Sequence, residues 1–505
     1  MKRLLLSGSD MTLSDLGRVA RREVRPGLAA SARHAMAASR RTIEKAARAG
    51  DRVYGVTTGF GKFANVAIPA DRIRELQRNL VLSHAAGVGS PLPDGAVRAM
   101  MALRANALAR GESGIRVQTV ETLLAMLAAD VLPVVPEKGS VGASGDLAPL
   151  AHLALALIGE GRVRWKGRLS TARRALRGAR IRPVVLEAKE GLALINGVQM
   201  SVAVGGVALE RCLFLARVAD LAGAASLDAA RGSDVAFDAR IIRARPHPGA
   251  LASAANLRAL MAGSRIRESH RNCGRVQDNY ALRCMPQVHG AARDAFAHAR
   301  EVLEREMNSS TDNPLVFAAD DRVLSGGNFH GAPVGLVLDY AAIAATDLAS
   351  IAERRIEKLL DPAFSELPAF LVPEGGLNSG LMMAQVTAAA LVSECKILAH
   401  PASVDSIPTS GDKEDHVSMS PIAARKLAAI AENLAHVLAI ELLTAFQAME
   451  FLRPLRSSRS IEAVRTAFRR DVPPWAADRL MARDLAAARE FMDGDALRRA
   501  VAGLS

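Results

Sequence analysis

The sequence predicts a mainly α-helical protein, in which a smaller N-terminal region of mixed α/β structure precedes a long up-and-down helical bundle. Apolar residues recur at helical spacing over 333–361, 378–400 and 421–451, the pattern of long helices that each bury one face. Ala- and Leu-rich stretches with interspersed Arg and Glu also favour helix. Because loops separate these long segments, we expect them to pack as an up-and-down bundle.

The N-terminal region is expected to combine shorter helices with loops and a few strands. Pro133 and Pro136 end a helical region, and helix resumes at Asp146, whose charge suits a helix N-terminus. We place a domain boundary near residue 190, which gives an N-terminal domain of 1–190 and a long-helix core and oligomerisation domain of 191–505. The expected N-terminal elements are a hairpin or turn over 4–16 leading into a helix, helices over 25–49, 70–85 and 94–130, a flexible loop over 54–68, and short strands within the basic segment 162–190.

The composition limits the partners that the chain can have. Its net charge of +13 raises nucleic-acid binding as an alternative function. The basic residues are scattered, however, and no aromatic residues lie among the Arg-Arg pairs, so we predict no nucleic-acid partner. No uninterrupted apolar run reaches membrane-spanning length, and 192–209 comes closest, so we also predict no membrane span.

The cysteines and the N-terminus bear on metal binding and location. The four cysteines lack a C-x-x-C spacing, so we predict no metal site and reduced thiols in a cytoplasm. The N-terminal segment has only three consecutive leucines, too few for a signal peptide. The four cysteines are Cys212, Cys273, Cys284 and Cys395.

The most informative motif is Ala143-Ser144-Gly145, within G-S-V-G-A-S-G-D-L-A-P-L at 139–150. Small residues leave this backbone unshielded, so the Gly145 amide nitrogen can reach the Ala143 carbonyl carbon and close a five-membered ring. Loss of water gives an imidazolone, and loss of the Ser144 hydroxyl leaves an exocyclic methylene. Such an electrophile does chemistry for which proteins usually borrow a cofactor.

Five further segments carry polar residues in patterns that suit a site. Tyr54 precedes a glycine-rich loop that can close over a site. Tyr280 and Arg283 are three residues apart and share a helix face, where the arginine offers a fork for a carboxylate. Asn196 lies in an otherwise apolar helix, so its amide must find partners. The segments are Y-G-V-T-T-G-F-G at 54–61, E-A-K-E-G-L-A-L-I-N-G-V-Q at 187–199, Q-D-N-Y-A-L-R-C-M-P-Q-V-H-G at 277–290, N-S-S-T-D-N-P-L-V-F with S-G-G-N-F-H-G within 308–331, and D-S-I-P-T-S-G-D-K-E-D-H-V-S-M-S at 405–420.

Together these six segments resemble the histidine and aromatic amino acid ammonia-lyases in the same order over nearly the whole chain. The resemblance implies 4-methylidene-imidazol-5-one formed from Ala143, Ser144 and Gly145, with no external cofactor. It also implies a homotetramer whose active sites several subunits share.

The resemblance assigns a role to each site residue. It makes Tyr54 the β-proton base with Tyr280 assisting, with the reverse assignment of the two tyrosines as the alternative. It also has Asn196 stabilise the ring oxygen. The substrate-binding residues that it implies are His84, Arg283, Gln287, Asn313, Phe329 and Glu414, with Arg283 on the substrate carboxylate.

The pocket residues favour histidine as the substrate. A histidine at 84 and a glutamate at 414 resemble the histidine enzymes of the family, so we predict deamination of L-histidine to trans-urocanate and ammonia. Thr57 and Lys413 depart from the histidine-type pattern, and Lys413 could pair with Glu414. The alternatives are a tyrosine or phenylalanine ammonia-lyase or a 2,3-aminomutase of the same family and, more distantly, an inactive basic binding protein.

Overall fold

The structure is a computed structural model that describes residues 2–271 and 273–505. Helices predominate, which confirms the predicted mainly α fold class. Within the described residues the helices are α1 (Leu13–Ala20), α2 (Ala30–Ala49), α3 (Ile73–His84), α4 (Asp94–Ala109), α5 (Val117–Ala128), α6 (Leu147–Leu157), α7 (Ala172–Gly178), α8 (Glu190–Ile195), α9 (Gln199–Ala229), α10 (Ala239–Arg243), α11 (Pro248–Met261), α12 (Arg265–Ser269), α13 (Tyr280–Arg283), α14 (Met285–Met307), α15 (Ala332–Leu360), α16 (Pro362–Ser365), α17 (Met382–Leu398), α18 (Ser420–Glu450), α19 (Arg459–Phe468), α20 (Met481–Phe491) and α21 (Asp495–Val501). The strands of the same ranges are β1 (Lys2–Leu6), β2 (Val24–Leu28), β3 (Val88–Pro91), β4 (Leu132–Pro133), β5 (Pro136–Lys138), β6 (Arg162–Trp165), β7 (Arg168–Thr171), β8 (Leu315–Phe317) and β9 (Arg322–Leu324).

The strands form small sheets. β1 and β2 pair in parallel, with Lys2 opposite Val24 and Leu6 opposite Leu28, and α1 supplies the crossover that a parallel pair requires. The other pairings are antiparallel: β3 with β5, β4 with β6, β6 with β7, and β8 with β9. The predicted strand within 162–190 is therefore confirmed as the β6–β7 hairpin.

Three N-terminal predictions were wrong in detail. In place of the expected hairpin or turn within 4–16 there is β1, whereas the helix expected to follow is present as α1, whose N-cap Thr12 forms a capping box with Asp15. The expected helix over 25–49 begins only at Ala30, because the preceding residues pair with β1 as a strand. The expected helix over 94–130 is two helices, since Gly111 and Gly114 adopt positive φ between them.

The long helices were predicted well. The patterns at 333–361, 378–400 and 421–451 correspond to α15, α17 and α18. The choice of 192–209 as the most apolar stretch was wrong. By length and composition, α15 and α18 within the described residues are long and apolar enough to span a membrane, although most of each apolar window is buried inside the protein.

Two compact units divide the chain. Unit 1 comprises Met1–Glu210, Ala299–Asp339 and Pro401–Ala428. Unit 2 comprises Arg211–His298, Tyr340–His400 and Ala429–Ser505. The domain boundary that we predicted near residue 190 falls inside the first segment of unit 1, and it stays a prediction.

Unit 2 contains a buried charged network. The Arg355 guanidinium donates to both carboxylate oxygens of Glu441, and both side chains are fully buried. The ring of His289 lies within hydrogen-bond distance of Arg355 on one side and of Asp220, at 2.8 Å, on the other. Each buried charge therefore has a partner, which is the condition under which burial of a charge is tolerated.

Replacing Arg355 with Met is expected to lower the free energy of unfolding by about 3–5 kcal/mol, because the Glu441 carboxylate stays buried without its cation. Urea unfolding followed by circular dichroism measures the change. The control is Arg240→Met, which removes the cation of an exposed pair with Asp238 and should leave the unfolding midpoint unchanged. Equal effects of the two variants would contradict the assignment of Arg355 to a buried pair.

Candidate active site

The Ala143-Ser144-Gly145 loop lies in unit 1, between β5 and α6. Gly145 has φ +76° and forms a parallel bridge with Gly197. A Cβ atom at residue 145 would lie 2.3 Å from the Gly197 carbonyl oxygen, a distance that no real Cβ contact shows. The loop therefore depends on glycine at 145 both for its backbone conformation and for the close approach of the two segments.

A second segment supports the loop from its other side. Ala143 packs in a small apolar cluster with Val417 and Met419. The Met419 amide donates to the Val141 carbonyl at 2.9 Å, and the Ser418 hydroxyl donates to the Gly142 carbonyl at 3.0 Å. Residues 417–419 thus fix the start of the loop and hold the nearby Glu414 close to it.

Asn196 contacts the loop directly, as predicted, but from a different local structure. We predicted it inside an apolar helix; α8 instead ends at Ile195, and Asn196 is extended. Its side-chain amide donates to the Ser144 carbonyl oxygen at 2.8 Å. The prediction that Asn196 lies within a helix was therefore wrong. Its amide does have a hydrogen-bond partner, and the break in the helix turns the amide toward that partner in the loop.

The Glu414 carboxylate accepts a hydrogen bond from the Ser144 hydroxyl. Ser144 Oγ donates to Glu414 Oε1 at 2.7 Å, and Thr409 Oγ1 donates to Glu414 Oε2 at 2.7 Å. Residues 410–413 form turns that the Thr409–Glu414 bridge closes. In the part of the chain that the structure describes, Lys413 forms no ion pair with Glu414.

His84 ends α3 and is half-buried. Burial lowers its pKa, whereas the hydrogen bond to the Leu80 carbonyl and the charge of Glu414 act in the opposite direction. Its ordinary pKa is already below 7, so His84 is neutral at neutral pH. His84 and Glu414 both lie in unit 1, close enough for the charge of Glu414 to act on the His84 ring.

A group of buried polar residues behind Asn196 was missed in the sequence. Arg104 of α4 is fully buried, and its Nη1 donates to the Asn196 carbonyl at 2.8 Å and to Gln199 Oε1 at 2.6 Å. Lys189 and Asp312 form a fully buried pair at 2.6 Å. A charged residue inside an otherwise buried helix was the only signal in the sequence that could have indicated Arg104.

Two carboxyl groups near the loop have raised pKa values. Burial raises the pKa of Asp146 to about 6, although the Ser201 amide and hydroxyl both donate to it. Burial, together with the charge of Asp146, raises the pKa of Glu306 to about 7. Both groups therefore titrate close to neutral pH, where ordinary carboxyl groups are fully ionised.

Three more predicted residues lie in unit 1, and two of them, Tyr54 and Asn313, have local partners. The Tyr54 hydroxyl accepts a hydrogen bond from the Gly61 amide at 3.2 Å, and its ring packs edge-on against Phe60. The Asn313 side-chain oxygen accepts from the Gly326 amide at 2.8 Å. Phe329 is partly exposed just before α15. None of the three hydrogen-bonds to Ser144, Asn196 or Glu414 in the described residues.

The remaining three predicted residues lie in unit 2. Tyr280 and Arg283 belong to the short helix α13 and share a face as predicted, with the guanidinium 4.7 Å from the ring centre. Tyr280 is 70% exposed, and the buried Nε of Arg283 has no hydrogen-bond partner in the described chain. Gln287 does not join this pair; it lines a cavity of about 120 Å³ with Arg245, His247 and Asp294.

Comparison with known proteins identifies the family. The family model described as "Aromatic amino acid lyase" matches residues 11–470. The chain belongs to this family. Histidine ammonia-lyase from Sorangium cellulosum is 54% identical over 98% of both chains, and that from Stigmatella aurantiaca is 52% identical over 99% of this chain and 98% of its own. The resemblance predicted from the motifs is therefore confirmed.

Solved structures of this lyase family share the fold of this chain. The histidine ammonia-lyase from Trypanosoma cruzi is 42% identical with a TM-score of 0.92, and the alignment covers 99% of this chain and 95% of that one. The tyrosine aminomutase from Streptomyces globisporus is 37% identical with a TM-score of 0.94, covering 100% and 99%. Enzymes that differ in the named substrate and reaction thus share one backbone, so the backbone alone does not decide between them.

Replacing Glu306 with Gln is expected to change how stability depends on pH. Because the pKa of Glu306 is raised from 4.5 to about 7, its contribution is fully present below pH 4.5 and is lost as the pH rises through 7. The wild type should therefore lose up to about 3 kcal/mol relative to the variant across this window. Urea unfolding at a series of pH values measures the difference.

The control for this experiment is Glu301→Gln, which removes an exposed carboxylate from the same helix, α14. Its stability should follow the wild type at every pH. If the Glu306→Gln curve also runs parallel to the wild type, the raised pKa of Glu306 is wrong.

Proposed function

We propose that this protein deaminates L-histidine to trans-urocanate and ammonia. As a member of the aromatic amino acid lyase family it is a carbon–nitrogen lyase, and its curated relatives at 48–54% identity carry the name histidine ammonia-lyase. The observation that carries the proposal is the position of Ser144, whose carbonyl accepts from Asn196 and whose hydroxyl donates to Glu414. The charge of Glu414 acts on His84, and we propose that these two polar side chains bind the imidazole.

We further propose that Ala143, Ser144 and Gly145 form 4-methylidene-imidazol-5-one, with no external cofactor. The residues present fit this group, because glycine is the only residue that the contact with Gly197 admits at 145. In the ring the Ser144 carbonyl becomes the ring oxygen, and this is the atom to which Asn196 already donates. When formed, the group supplies an electrophilic methylene that takes up the substrate amine.

The protein's own residues bind the substrate and move its proton. Removal of the weakly acidic β-proton requires a base, which we assign to Tyr54, with Tyr280 assisting; the reverse assignment of the two tyrosines is the alternative. Arg283 binds the substrate carboxylate through its fork of donors, and the partnerless Nε of this guanidinium supports that role. Asn196 stabilises negative charge on the ring oxygen. His84 and Glu414 bind the imidazole, and Gln287, Asn313 and Phe329 complete the substrate-binding set.

The alternatives within the family, a tyrosine or phenylalanine ammonia-lyase or a 2,3-aminomutase, are less well supported. Two departures from the histidine-type pattern had raised them. Thr57 is buried, and its hydroxyl accepts from the Val53 amide within its own turn. Glu414 accepts hydrogen bonds from Ser144 and Thr409, and in the described residues it forms no ion pair with Lys413.

We also propose that the protein acts as a cytoplasmic homotetramer with shared active sites and no membrane or nucleic-acid partner. Exposed apolar residues on α17 support an oligomer, because a monomer rarely leaves such a face open. The free cysteines agree with a reducing compartment. The exposed residues on α17 include Met383, Val386 and Ile397.

The intact mass tests the prosthetic group. We expect the wild type to be lighter than its sequence by two water molecules, and Gly145→Ala to have the full sequence mass, because its Cβ would clash with Gly197. Gly50→Ala is the matched control: Gly50 has the same φ of +76°, but a Cβ at this position would have nothing within 4 Å. Its mass should show the loss of both waters. A wild type of unmodified mass would contradict the proposal.

Product formation from histidine, tyrosine and phenylalanine tests the substrate. We expect kcat/KM for histidine to exceed the values for the other two by about 100-fold or more, because the carbon rings of phenylalanine and tyrosine lack the ring nitrogens that would pair with His84 and Glu414. Glu414→Gln should lower kcat/KM for histidine by about 10–100-fold, because its hydrogen bond to the imidazole loses the carboxylate charge. Asp415→Asn changes the neighbouring exposed carboxylate and should retain activity. A preference for tyrosine or phenylalanine would overturn the choice of histidine.

A further inference from the structure

Arg104 is the least expected side chain near the loop. It lies in the middle of α4, is fully buried, and is surrounded in sequence by apolar residues. Its only hydrogen bonds in the described chain come from Nη1, to the Asn196 carbonyl at 2.8 Å and to Gln199 Oε1 at 2.6 Å. Gln199 in turn donates to the Thr311 hydroxyl at 2.8 Å.

The surroundings of Arg104 differ from those of a structural arginine. Arg355, which is equally buried, donates to both oxygens of a carboxylate, whereas the Nε and Nη2 atoms of Arg104 have no partner among the described residues. Burial lowers the pKa of Arg104 to about 10 against the opposing charge of Asp312, so the guanidinium is charged at neutral pH. An incompletely bonded buried cation costs stability, which suggests a role other than stability.

The geometry around Asn196 indicates what that role is. Asn196 follows the last residue of α8 with an extended backbone, so its carbonyl needs a partner from elsewhere. Arg104 provides it. At the next residue, a Cβ on Gly197 would lie 2.6 Å from Arg104 Nη1. The guanidinium therefore contacts the backbone directly at the point where the helix breaks and the Asn196 amide turns toward Ser144.

We infer that Arg104 is a positioning residue, which holds the Asn196 backbone so that the side-chain amide meets the Ser144 carbonyl oxygen and which adds positive charge on that side of the loop. The inference rests on the proposed function, because that oxygen is the one on which we propose that negative charge develops. A donor aimed in advance at such an oxygen stabilises it without reorganisation. Arg104 itself contacts neither Ser144 nor any substrate-binding residue named above.

The experiment measures the reactivity of the prosthetic group separately from turnover. The proteins are the wild type, Arg104→Gln, Arg104→Lys, Asn196→Ala and the double variant Arg104→Gln/Asn196→Ala. For each we measure the intact mass, the rate at which cyanide adds to the protein by mass spectrometry, and kcat and KM for histidine. Arg355→Lys is the control for the loss of a buried arginine, and thermal unfolding checks the fold of every variant.

We expect Arg104→Gln to lower both the cyanide-addition rate and kcat by about 10–100-fold, somewhat less than the loss of a direct donor to such an oxygen, while KM changes little. Arg104→Lys keeps the charge and should lie between Arg104→Gln and the wild type. In the Asn196→Ala background the Arg104→Gln change should have little further effect, because both residues act on one oxygen. Arg355→Lys should lower stability and leave the cyanide rate unchanged.

Several outcomes would overturn the inference. One is a cyanide-addition rate in folded Arg104→Gln equal to that of the wild type. Another is a decrease in this rate on Arg104→Gln that is equally large in the wild-type and Asn196→Ala backgrounds. If Arg104→Gln does not fold, a wild-type cyanide rate in Arg104→Lys together with an unchanged kcat has the same meaning. A folded Arg104 variant that keeps the full sequence mass has not formed the ring. In that case the inference requires that Asn196→Ala also keeps the full mass, and an Asn196→Ala protein that has lost two waters contradicts it.

The same measurements distinguish a failure of the proposed function from a failure of the role of Arg104. If the wild type itself has the unmodified mass, the prosthetic group is absent, and the proposed function is wrong together with the inference that rests on it. If the wild type is modified and reacts with cyanide while Arg104→Gln behaves like it, only the role of Arg104 is wrong.

Discussion

The contact between the backbones at Gly145 and Gly197 constrains everything else around the loop. A Cβ on Gly145 would lie 2.3 Å from the Gly197 carbonyl oxygen, and a Cβ on Gly197 would lie within 2.6 Å of three polar side chains, so the two segments meet without intervening side chains. The Asp146 amide donates to the Gly197 carbonyl at 2.7 Å and continues this pairing. Because the pairing fixes the peptide of Ser144 against the end of α8, the direction of the Asn196 amide and the direction of the Ser144 carbonyl are set together.

This contact places Ser144 between a donor and an acceptor. On the carbonyl side lie the Asn196 amide and, behind it, the charged Arg104. On the hydroxyl side lies the Glu414 carboxylate, which Thr409 holds in place. Positive charge thus faces the oxygen that accepts, and a carboxylate faces the hydroxyl that is lost in the proposed ring. Positive charge beside the Ser144 carbonyl oxygen draws electrons toward that oxygen. This is the direction in which electrons must move for a methylene formed from the Ser144 side chain to become electron-poor.

Local sequence predicted the elements whose stability is local. The long helices α15, α17 and α18 were evident because their apolar period is regular over many turns. The strand β2 was missed because its residues Val-Arg-Pro-Gly-Leu have little strand propensity, and only pairing with β1 makes them extended. The motifs likewise indicated Ser144, Asn196 and Glu414, yet the helix break at Asn196 and the turns at 410–413 depend on contacts with other segments. Arg104 had no motif at all, because its partners are about 92 and 95 residues away in the chain.

The distribution of buried charge in unit 1 is easier to explain by chemistry than by stability. A buried ion pair seldom makes a fold more stable than apolar residues of similar volume would, yet Arg104, the Lys189–Asp312 pair and Asp146 are all buried in this unit. Arg104 donates to the Asn196 carbonyl, and Asp146 accepts from the Ser201 amide. Asp312 directly follows Thr311, whose hydroxyl accepts from Gln199. Their position beside one backbone contact is explained if the charges must already be oriented when the reaction begins, because an environment that has to reorganise gives up much of the stabilisation it could provide.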